Sequence, residues 1–235
     1  KIYYILHKEH LFGGNYKMIN KNKYTVSSLF AGIGGIDLGF EQAGANVIWA
    51  NEIDKNACIT YKANFSHTLV EDDIRNLDGN DMPDTDIITA GWPCVAFSVA
   101  GRRHGMQYKC FECGYEHGVT YEEYIDGTVC PECGGETDAK DSRGTLFFDV
   151  IRFIRAKKPK AIFLENVKNL KGHDKGNTFK VIEEMLKESG YYFDSRILNT
   201  MDYGDVPQNR ERIFIVGFRE KESLDNFIWP DAITP

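Results

Sequence analysis

From Tyr24 onward, short apolar runs alternate with amphipathic stretches along the chain. A short apolar run indicates a buried strand, whereas apolar residues spaced three and four apart indicate a helix. The predicted strands are 25–30, 46–51, 86–90, 161–164, 192–198 and 212–218. The predicted helices are one that ends at Gln42, then 55–65, 145–155 and 178–189. This alternation predicts an α/β fold with a Rossmann-like, doubly wound, mostly parallel sheet and sites at the carboxyl ends of its strands.

Length and composition narrow the class of protein. The chain has 235 residues, of which 42% are hydrophobic and 27% charged, which suits one large α/β domain or two small ones. These values exclude a disordered tail, a collagen-like repeat and a disulfide miniprotein. No apolar run approaches the ~18 residues of a membrane span, and the first twenty residues have no apolar signal-peptide segment. We expect a soluble, cytoplasmic protein without a membrane partner.

The net charge of −7 is unevenly distributed. Residues 107–140 contain eight acidic and two basic side chains, so this stretch carries −6 and the other 201 residues only −1. A nearly neutral body can still present a local basic face to a polyanion. Composition therefore neither requires nor forbids a nucleic-acid partner.

Four of the six cysteines form two Cys-x-x-Cys pairs, and a glycine follows each pair. Sixteen residues separate the pairs, which is the spacing of a zinc ribbon, and glycine permits the positive φ of a tight knuckle. Disulfides or four unrelated buried thiols are the alternatives, and a reducing cytosol argues against disulfides. The predicted ligands of a structural zinc ion are Cys110, Cys113, Cys130 and Cys133.

The domain organisation follows from this insert. We expect an amino-terminal extension over 1–23 and a catalytic domain over 24–106 and 141–235. The zinc-ribbon insert occupies 107–140. The catalytic domain is therefore continuous in space and interrupted once in sequence.

A glycine-rich turn follows the first strand and opens the first helix, which is typical of a nucleotide site. A plain tight turn is the alternative. Glu52 stands about 20 residues further on, where a carboxylate can accept from ribose hydroxyls. Asp73 offers a second carboxylate for an adenine amino group. Because the full dinucleotide spacing is missing, the pattern favours one adenosine-containing cofactor over NAD.

Three further positions carry reactive groups. Cys94 follows Pro93 directly after a predicted strand, which favours an exposed nucleophile over a buried core thiol. Glu165 follows four apolar residues, so half-burial would raise its pKa toward that of a general acid, although a surface loop carboxylate is equally compatible. Arg210 and Arg212 precede the last predicted strand and can bind phosphates or a carboxylate, or form a solvated cluster.

The order of these motifs resembles that of the cytosine-5 DNA methyltransferases, especially the small bacterial restriction–modification enzymes. The resemblance extends from about Tyr24 to Pro230, with only the cysteine-rich insert outside it. The motifs are Phe30-Ala-Gly-Ile-Gly-Gly, Asn51-Glu-Ile-Asp, Asp73-Ile, Pro93-Cys-Val-Ala-Phe-Ser, Asp141-Ser-Arg-Gly-Thr-Leu-Phe-Phe, Glu165-Asn-Val and Gln208-Asn-Arg-Glu-Arg.

The resemblance implies a class I S-adenosylmethionine-dependent methyltransferase that acts on double-stranded DNA. The implied cofactor-binding residues are Phe30, Ala31, Gly32, Gly34, Gly35, Glu52, Ile53, Asp73, Ile74 and Leu146. The target cytosine would be flipped out of the duplex, because its ring faces are blocked in the stack. Cys94 would then attack carbon 6 and activate carbon 5 for methylation.

The resemblance also implies roles for the polar groups around the flipped base. Protonated Glu165 would bond ring nitrogen 3 and stabilise the charge that develops in the ring. Asn166 would help to fix the pocket, Arg212 would donate to the cytosine carbonyl, and Arg210 would support it.

The chain departs from the family pattern in places. Val95 stands where the family usually has glutamine, and Ser28 where aspartate is usual. Family members continue into a target-recognition domain, which we expect to be absent here and supplied by a carboxyl-terminal part or a second subunit. The alternative functions are an RNA cytosine-5 methyltransferase and a non-catalytic zinc-ribbon binding module on a methyltransferase scaffold.

Overall fold

The structure is a computed structural model that describes residues 24–93, 107–118, 120–127, 129–137, 145–204 and 206–233. The strands are β1 Thr25–Leu29, β2 Asn46–Asn51, β3 Thr68–Val70, β4 Ile87–Ala90, β5 Gln107–Lys109, β6 Glu116–Gly118, β7 Ala161–Val167, β8 Tyr192–Asn199 and β9 Glu211–Phe218. The α-helices are α1 Gly35–Gln42, α2 Lys55–Asn64, α3 Tyr121–Asp126, α4 Leu146–Lys157, α5 Asn177–Glu188, α6 Thr200–Tyr203 and α7 Lys221–Asp225.

Seven strands form one sheet in the order β3-β2-β1-β4-β7-β9-β8. Strands β3, β2, β1, β4 and β7 pair in parallel, whereas β9 runs antiparallel to both of its neighbours. The order reverses between β1 and β4, and such a switch point leaves a crevice at the carboxyl ends of the strands. The predicted α/β, mostly parallel fold is confirmed.

Both faces of the sheet are covered, as its apolar strands require. Ile162 and Leu164 of β7 belong to the larger core cluster, to which α4 and α5 contribute most of their buried side chains. Phe163 points to the opposite face and packs against Phe40 of α1, with ring centroids 5.5 Å apart. The alternation of side chains along a strand therefore divides β7 between two cores.

Most predicted boundaries lie within two residues of those in the structure, but one difference bears on the site. Strand β7 continues to Val167, so Glu165 and Asn166 lie inside a strand and not after one. Strand β7 continues because each residue from Glu165 to Val167 is paired with β9 in register. Strand β9 begins at Glu211, one residue before its predicted start at Arg212.

The cysteine-rich insert forms its own small unit. Strands β5 and β6 make an antiparallel hairpin, and isolated bridges join Cys110 to Thr137 and Val129 to Glu136. Helix α3 lies between the two halves of this unit along the chain. Across the described ranges, no helix combines the length and apolar character needed to cross a bilayer.

Candidate active site

The turn between β1 and α1 is built on backbone conformations that favour glycine. Gly32 and Gly34 have φ of +58° and +88°, and Phe30 adopts +55° although it carries a side chain. At Gly34 an added Cβ would lie 2.1 Å from Cε2 of Phe65, so any larger residue would displace that ring. The turn therefore presents backbone at the sheet edge. Ala31 belongs to it, and Gly35 is the first residue of α1.

Glu52 is attached to this turn by hydrogen bonds. Its Oε2 accepts from the Gly32 amide at 2.8 Å, while Oε1 accepts from the amides of Ile53 at 2.9 Å and Asp54 at 2.8 Å. Asp54 then caps α2 by accepting from the Ala57 amide. The carboxylate thus connects the glycine turn to the end of β2, while Ile53 exposes 59% of its surface beside it.

Asp73 begins a single 3₁₀ turn beyond β3. Its Oδ1 accepts from the Arg75 backbone and from Arg75 Nε, and Oδ2 accepts from Arg75 Nη2 at 2.6 Å. These bonds from the Arg75 side chain hold the pKa of Asp73 below its usual value. Ile74 is buried in the larger core cluster, and Leu146 packs against the same core at the start of α4.

Asn51, which the sequence did not single out as a site residue, holds this turn near Glu52. The side-chain amide of Asn51 is buried and donates to the carbonyl oxygens of Val70 at 3.1 Å and Asp72 at 2.8 Å. A polar residue at the end of an otherwise apolar strand is the signal that could have identified it.

Glu165 and Arg212 meet across the β7–β9 pair. Arg212 Nε donates to Glu165 Oε1 at 3.0 Å, and both side chains are about one-fifth exposed. Burial raises the pKa of Glu165, and the positive charges of Arg212 and Arg210 oppose that rise without cancelling it. A half-buried carboxyl of this kind can hold a proton and donate it in a hydrogen bond.

Asn166 connects this pair to the turn that leads to Cys94. It is buried and donates from Nδ2 to the Trp92 carbonyl at 3.2 Å, while its Oδ1 accepts from the Val167 amide at 2.8 Å. An added Cβ on Gly91 would lie 3.6 Å from Glu165 Oε2, so the turn passes close to that carboxyl. Cys94 itself lies outside the described residues.

A cavity of about 410 Å³ opens beside Arg212, and Arg210 lines it. Its lining is Val167, Lys168, Asn169, Gln208, Asn209, Arg210, Glu211 and Arg212. Lys168 forms an ion pair with Glu211. The volume is that of a small-molecule site, and three of its side chains are cationic.

The four cysteines of the insert converge. Their Sγ atoms all lie within 4.8 Å of one another, with Cys110–Cys133 at 3.5 Å and Cys113–Cys130 at 3.6 Å. Bonds from the Cys113 and Glu112 amides help to lower the pKa of Cys110 to about 7. Four thiolates about 2.3 Å from a tetrahedral zinc ion would be about 3.8 Å apart, so the cluster fits that metal. The glycines after both pairs have φ of +74°, as the knuckle requires.

The sheet order and the edge that carries these groups define an α/β fold of the Rossmann-like methyltransferase class. Residues 24–110 and 132–235 match the family model described as C-5 cytosine-specific DNA methylase. The chain belongs to that family.

Two curated relatives and one solved structure illustrate the similarity. The Type II methyltransferase M.Bsp6I of Bacillus sp. (strain RFL6) is 49% identical over 206 residues, covering 87% of this chain and 55% of the relative. The Type II methyltransferase M.HhaI of Haemophilus parahaemolyticus is 40% identical over 202 residues, covering 86% and 51%. The S. pombe Dnmt2 methyltransferase matches in fold, with a TM-score of 0.57 and 18% identity over 83% of this chain and 49% of that one. The chain spans about half the length of the curated relatives it matches.

Proposed function

We propose that this protein transfers a methyl group from S-adenosylmethionine to carbon 5 of cytosine in double-stranded DNA, as part of restriction–modification. One observation carries the proposal. The buried carboxyl of Glu165, with its raised pKa, is hydrogen-bonded to Arg212 beside a cavity and next to the turn that precedes Cys94. This arrangement suits a flipped pyrimidine ring. Such a ring needs a proton donor at its nitrogen, a hydrogen-bond donor to its carbonyl and a nucleophile beside it.

The base-binding residues have separate roles in this proposal. Cys94 attacks carbon 6, protonated Glu165 donates to ring nitrogen 3, and Arg212 donates to the ring carbonyl. Asn166 acts through the Trp92 carbonyl and positions the turn that carries Cys94. Arg210 contributes positive charge near Glu165 and borders the same cavity.

The opposite end of the sheet edge is proposed to bind the cofactor. The sulfonium of S-adenosylmethionine, when bound, supplies an electrophilic methyl group. Glu52 would accept from the ribose hydroxyls, Asp73 and the Ile74 backbone would bond the adenine, and Ile53 would cover it. Phe30, Leu146 and the glycine turn, from Ala31 to Gly35, would form the remaining wall. The open backbone at Gly32 and Gly35 supports this, because an added Cβ there would meet nothing within 4 Å.

We propose that Cys110, Cys113, Cys130 and Cys133 bind one structural zinc ion. Metal analysis of the purified protein should find one zinc ion for each chain. A double variant that combines Cys113→Ser with Cys133→Ser should lose it. A wild-type protein without stoichiometric zinc would contradict the assignment. With its surplus of acidic residues, the insert is not expected to bind phosphates.

The substrate has consequences for partners and location. We propose a cytoplasmic location, because that is where a restriction–modification enzyme meets its DNA. We propose that a target-recognition part, in a carboxyl-terminal continuation or in a second subunit, holds the other side of the duplex. Flipping a base costs a few kcal/mol, and a nearly neutral single face offers little binding energy to offset that cost.

Covalent trapping tests the proposed reaction. With the target-recognition part, S-adenosylmethionine and duplex DNA that contains 5-fluorocytosine all present, the protein should form a stable covalent complex, because fluorine replaces the proton that normally leaves. Cys94→Ala should form none, while Cys58→Ala, which alters a buried core thiol, should still form it. Trapping by Cys94→Ala, or trapping of RNA in place of duplex DNA, would contradict the proposal.

A further inference from the structure

Tyr124 of the cysteine-rich insert is buried in the core of the catalytic domain. Helix α3 lies in the part of the chain that the family model does not match, yet its Tyr124 is only 5% exposed. The Tyr124 ring packs against Phe148 of α4 with ring centroids 5.3 Å apart. A reciprocal pair of bonds between Thr120 and Glu123 caps the start of this short helix. Local capping and core packing together fix where the Tyr124 hydroxyl points.

That hydroxyl starts a chain of hydrogen bonds inside the catalytic domain. It donates to Asp149 Oδ2 at 2.6 Å. Asp149 Oδ1 in turn accepts from Arg152 Nη2 at 2.8 Å and from Nε at 3.2 Å. Because Asp149 is 2% exposed, water cannot readily replace a partner that is removed.

Arg152 extends the chain to the turn that holds Asp73. Its Nη1 donates to the Leu77 carbonyl at 2.6 Å, and its Nη2 donates to the Ile74 carbonyl at 2.8 Å. Within that turn the Asn76 amide bonds the Asp73 carbonyl, and the Leu77 amide bonds the Ile74 carbonyl. The guanidinium therefore clamps both ends of the turn to α4.

We infer that Tyr124 is a positioning residue for the cofactor site, through which the insert holds the 73–77 turn in the conformation that binds the adenosine part of S-adenosylmethionine. The inference rests on the cofactor site proposed above. Loss of the hydroxyl leaves Asp149 with one buried bond unmade. The Asp149–Arg152 pair then has an alternative geometry in which the carbonyls of the turn are held less firmly.

The competing explanation is that Tyr124 only anchors the insert. Tyr121 separates the two explanations, because it lies on the same helix and also packs against Phe148, with centroids 6.0 Å apart. The Arg155 guanidinium lies over the Tyr121 ring at 4.4 Å. It donates hydrogen bonds to Ser189 and Glu188, away from the 73–77 turn. Both rings dock α3 on the catalytic domain, but only the Tyr124 hydroxyl leads to the cofactor site.

The test compares Tyr124→Phe with Tyr121→Phe, each of which keeps its ring. Calorimetry with S-adenosylhomocysteine should show binding weakened by about two- to thirty-fold in Tyr124→Phe, the range of coupling along buried networks. Binding by Tyr121→Phe should equal that of the wild type. In the ligand-free protein, hydrogen exchange at the Asn76 and Leu77 amides should be faster in Tyr124→Phe alone. Combining Tyr124→Phe with Arg152→Lys should weaken binding by less than the product of the single effects.

Other outcomes would contradict either this inference or the proposed function. Wild-type affinity and exchange in Tyr124→Phe, or an equal loss in Tyr121→Phe, would overturn the inference. If the wild-type protein does not bind S-adenosylhomocysteine, the proposed function fails. The exchange rates at Asn76 and Leu77 in the ligand-free protein still test the inference in that case.

Discussion

Glu52 and Glu165 are both acidic side chains near the carboxyl edge of the same sheet, and their surroundings differ. Three backbone amides donate to Glu52, which lies at the open glycine turn. Glu165 is enclosed between two strands and meets one guanidinium, and burial raises its pKa. The comparison shows how position alone suits one residue type to the two roles proposed here: an acceptor at one end of the site and a proton donor at the other.

The two ends also differ in what holds them together. The proposed cofactor end is formed by main-chain atoms, with Asn51 and Glu52 bonding carbonyls and amides of neighbouring turns. The proposed base-binding end is formed by side chains, with Asn166, Glu165 and Arg212 arranged across β7 and β9. Substitutions at one end should therefore leave the function of the other end unchanged, because a side-chain change at one end leaves the backbone of the other in place.

Cys94→Ala should have the largest effect. Removal of the proposed nucleophile should reduce methyl transfer by at least about 10⁴-fold, as the loss of a covalent catalyst does elsewhere. Affinity for S-adenosylhomocysteine should stay within two-fold of the wild type, since the nucleophile contacts the base. Radiolabelled methyl incorporation and calorimetry measure the two quantities, and a parallel fall in both would mean that the two ends are not separable.

Glu165→Gln should reduce the transfer rate by about 10²- to 10⁴-fold, the usual contribution of a general acid, with cofactor affinity unchanged. In the wild type the rate should fall as pH rises through the raised pKa of Glu165, because only the protonated carboxyl can donate. The variant should lack this alkaline fall. Glu211→Gln changes a carboxyl that lines the neighbouring cavity and pairs with Lys168, and it should keep the wild-type pH profile. Identical profiles for wild type and Glu165→Gln would remove Glu165 from the mechanism.

Gly34→Ala tests the main-chain character of the cofactor end. Gly34 and Gly44 share a φ of +88°, but an added Cβ meets Phe65 only at Gly34 and has open space at Gly44. Both substitutions should lower the free energy of unfolding through backbone strain. Overpacking should lower that of Gly34→Ala by a further ~1–3 kcal/mol. Denaturant titration measures the difference. Equal losses at both positions would show that Phe65 moves aside freely.

Glu52→Gln should produce the smallest change, with S-adenosylhomocysteine binding weakened by roughly ten-fold because a charged acceptor becomes a neutral one. At saturating cofactor the rate of covalent trapping should equal that of the wild type. Glu71→Gln, which alters an exposed ion pair with Lys62, is the matched control and should bind normally. A slower trapping rate at saturation would indicate that Glu52 also acts at the base-binding end.

Much of this arrangement could be predicted because it depends on local pattern. The apolar runs identified the main strands. The spacing between the glycine turn and Glu52 is typical of a nucleotide site, and the spacing of the Cys-x-x-Cys pairs is typical of a zinc ribbon. Glu165 was predicted to follow a strand and lies inside it, since the apolar run ends at Leu164 while pairing with β9 continues to Val167. A polar residue interrupts a hydrophobic pattern without interrupting a strand whose backbone is bonded to a neighbour.

The sequence by itself determined the order of the main strands and helices, the family and the candidate reactive groups, because each depends on residue types at short spacings. The short strand β3, the hairpin of the insert and the shortest helices were not predicted. Only the tertiary structure decided that burial would raise the pKa of Glu165, that Asn166 would reach the Trp92 carbonyl, and that Tyr124 would lie against Asp149. These properties depend on contacts between residues far apart in the chain. Burial and hydrogen bonding are set by which surfaces pack together, and the spacing of residues does not encode that directly.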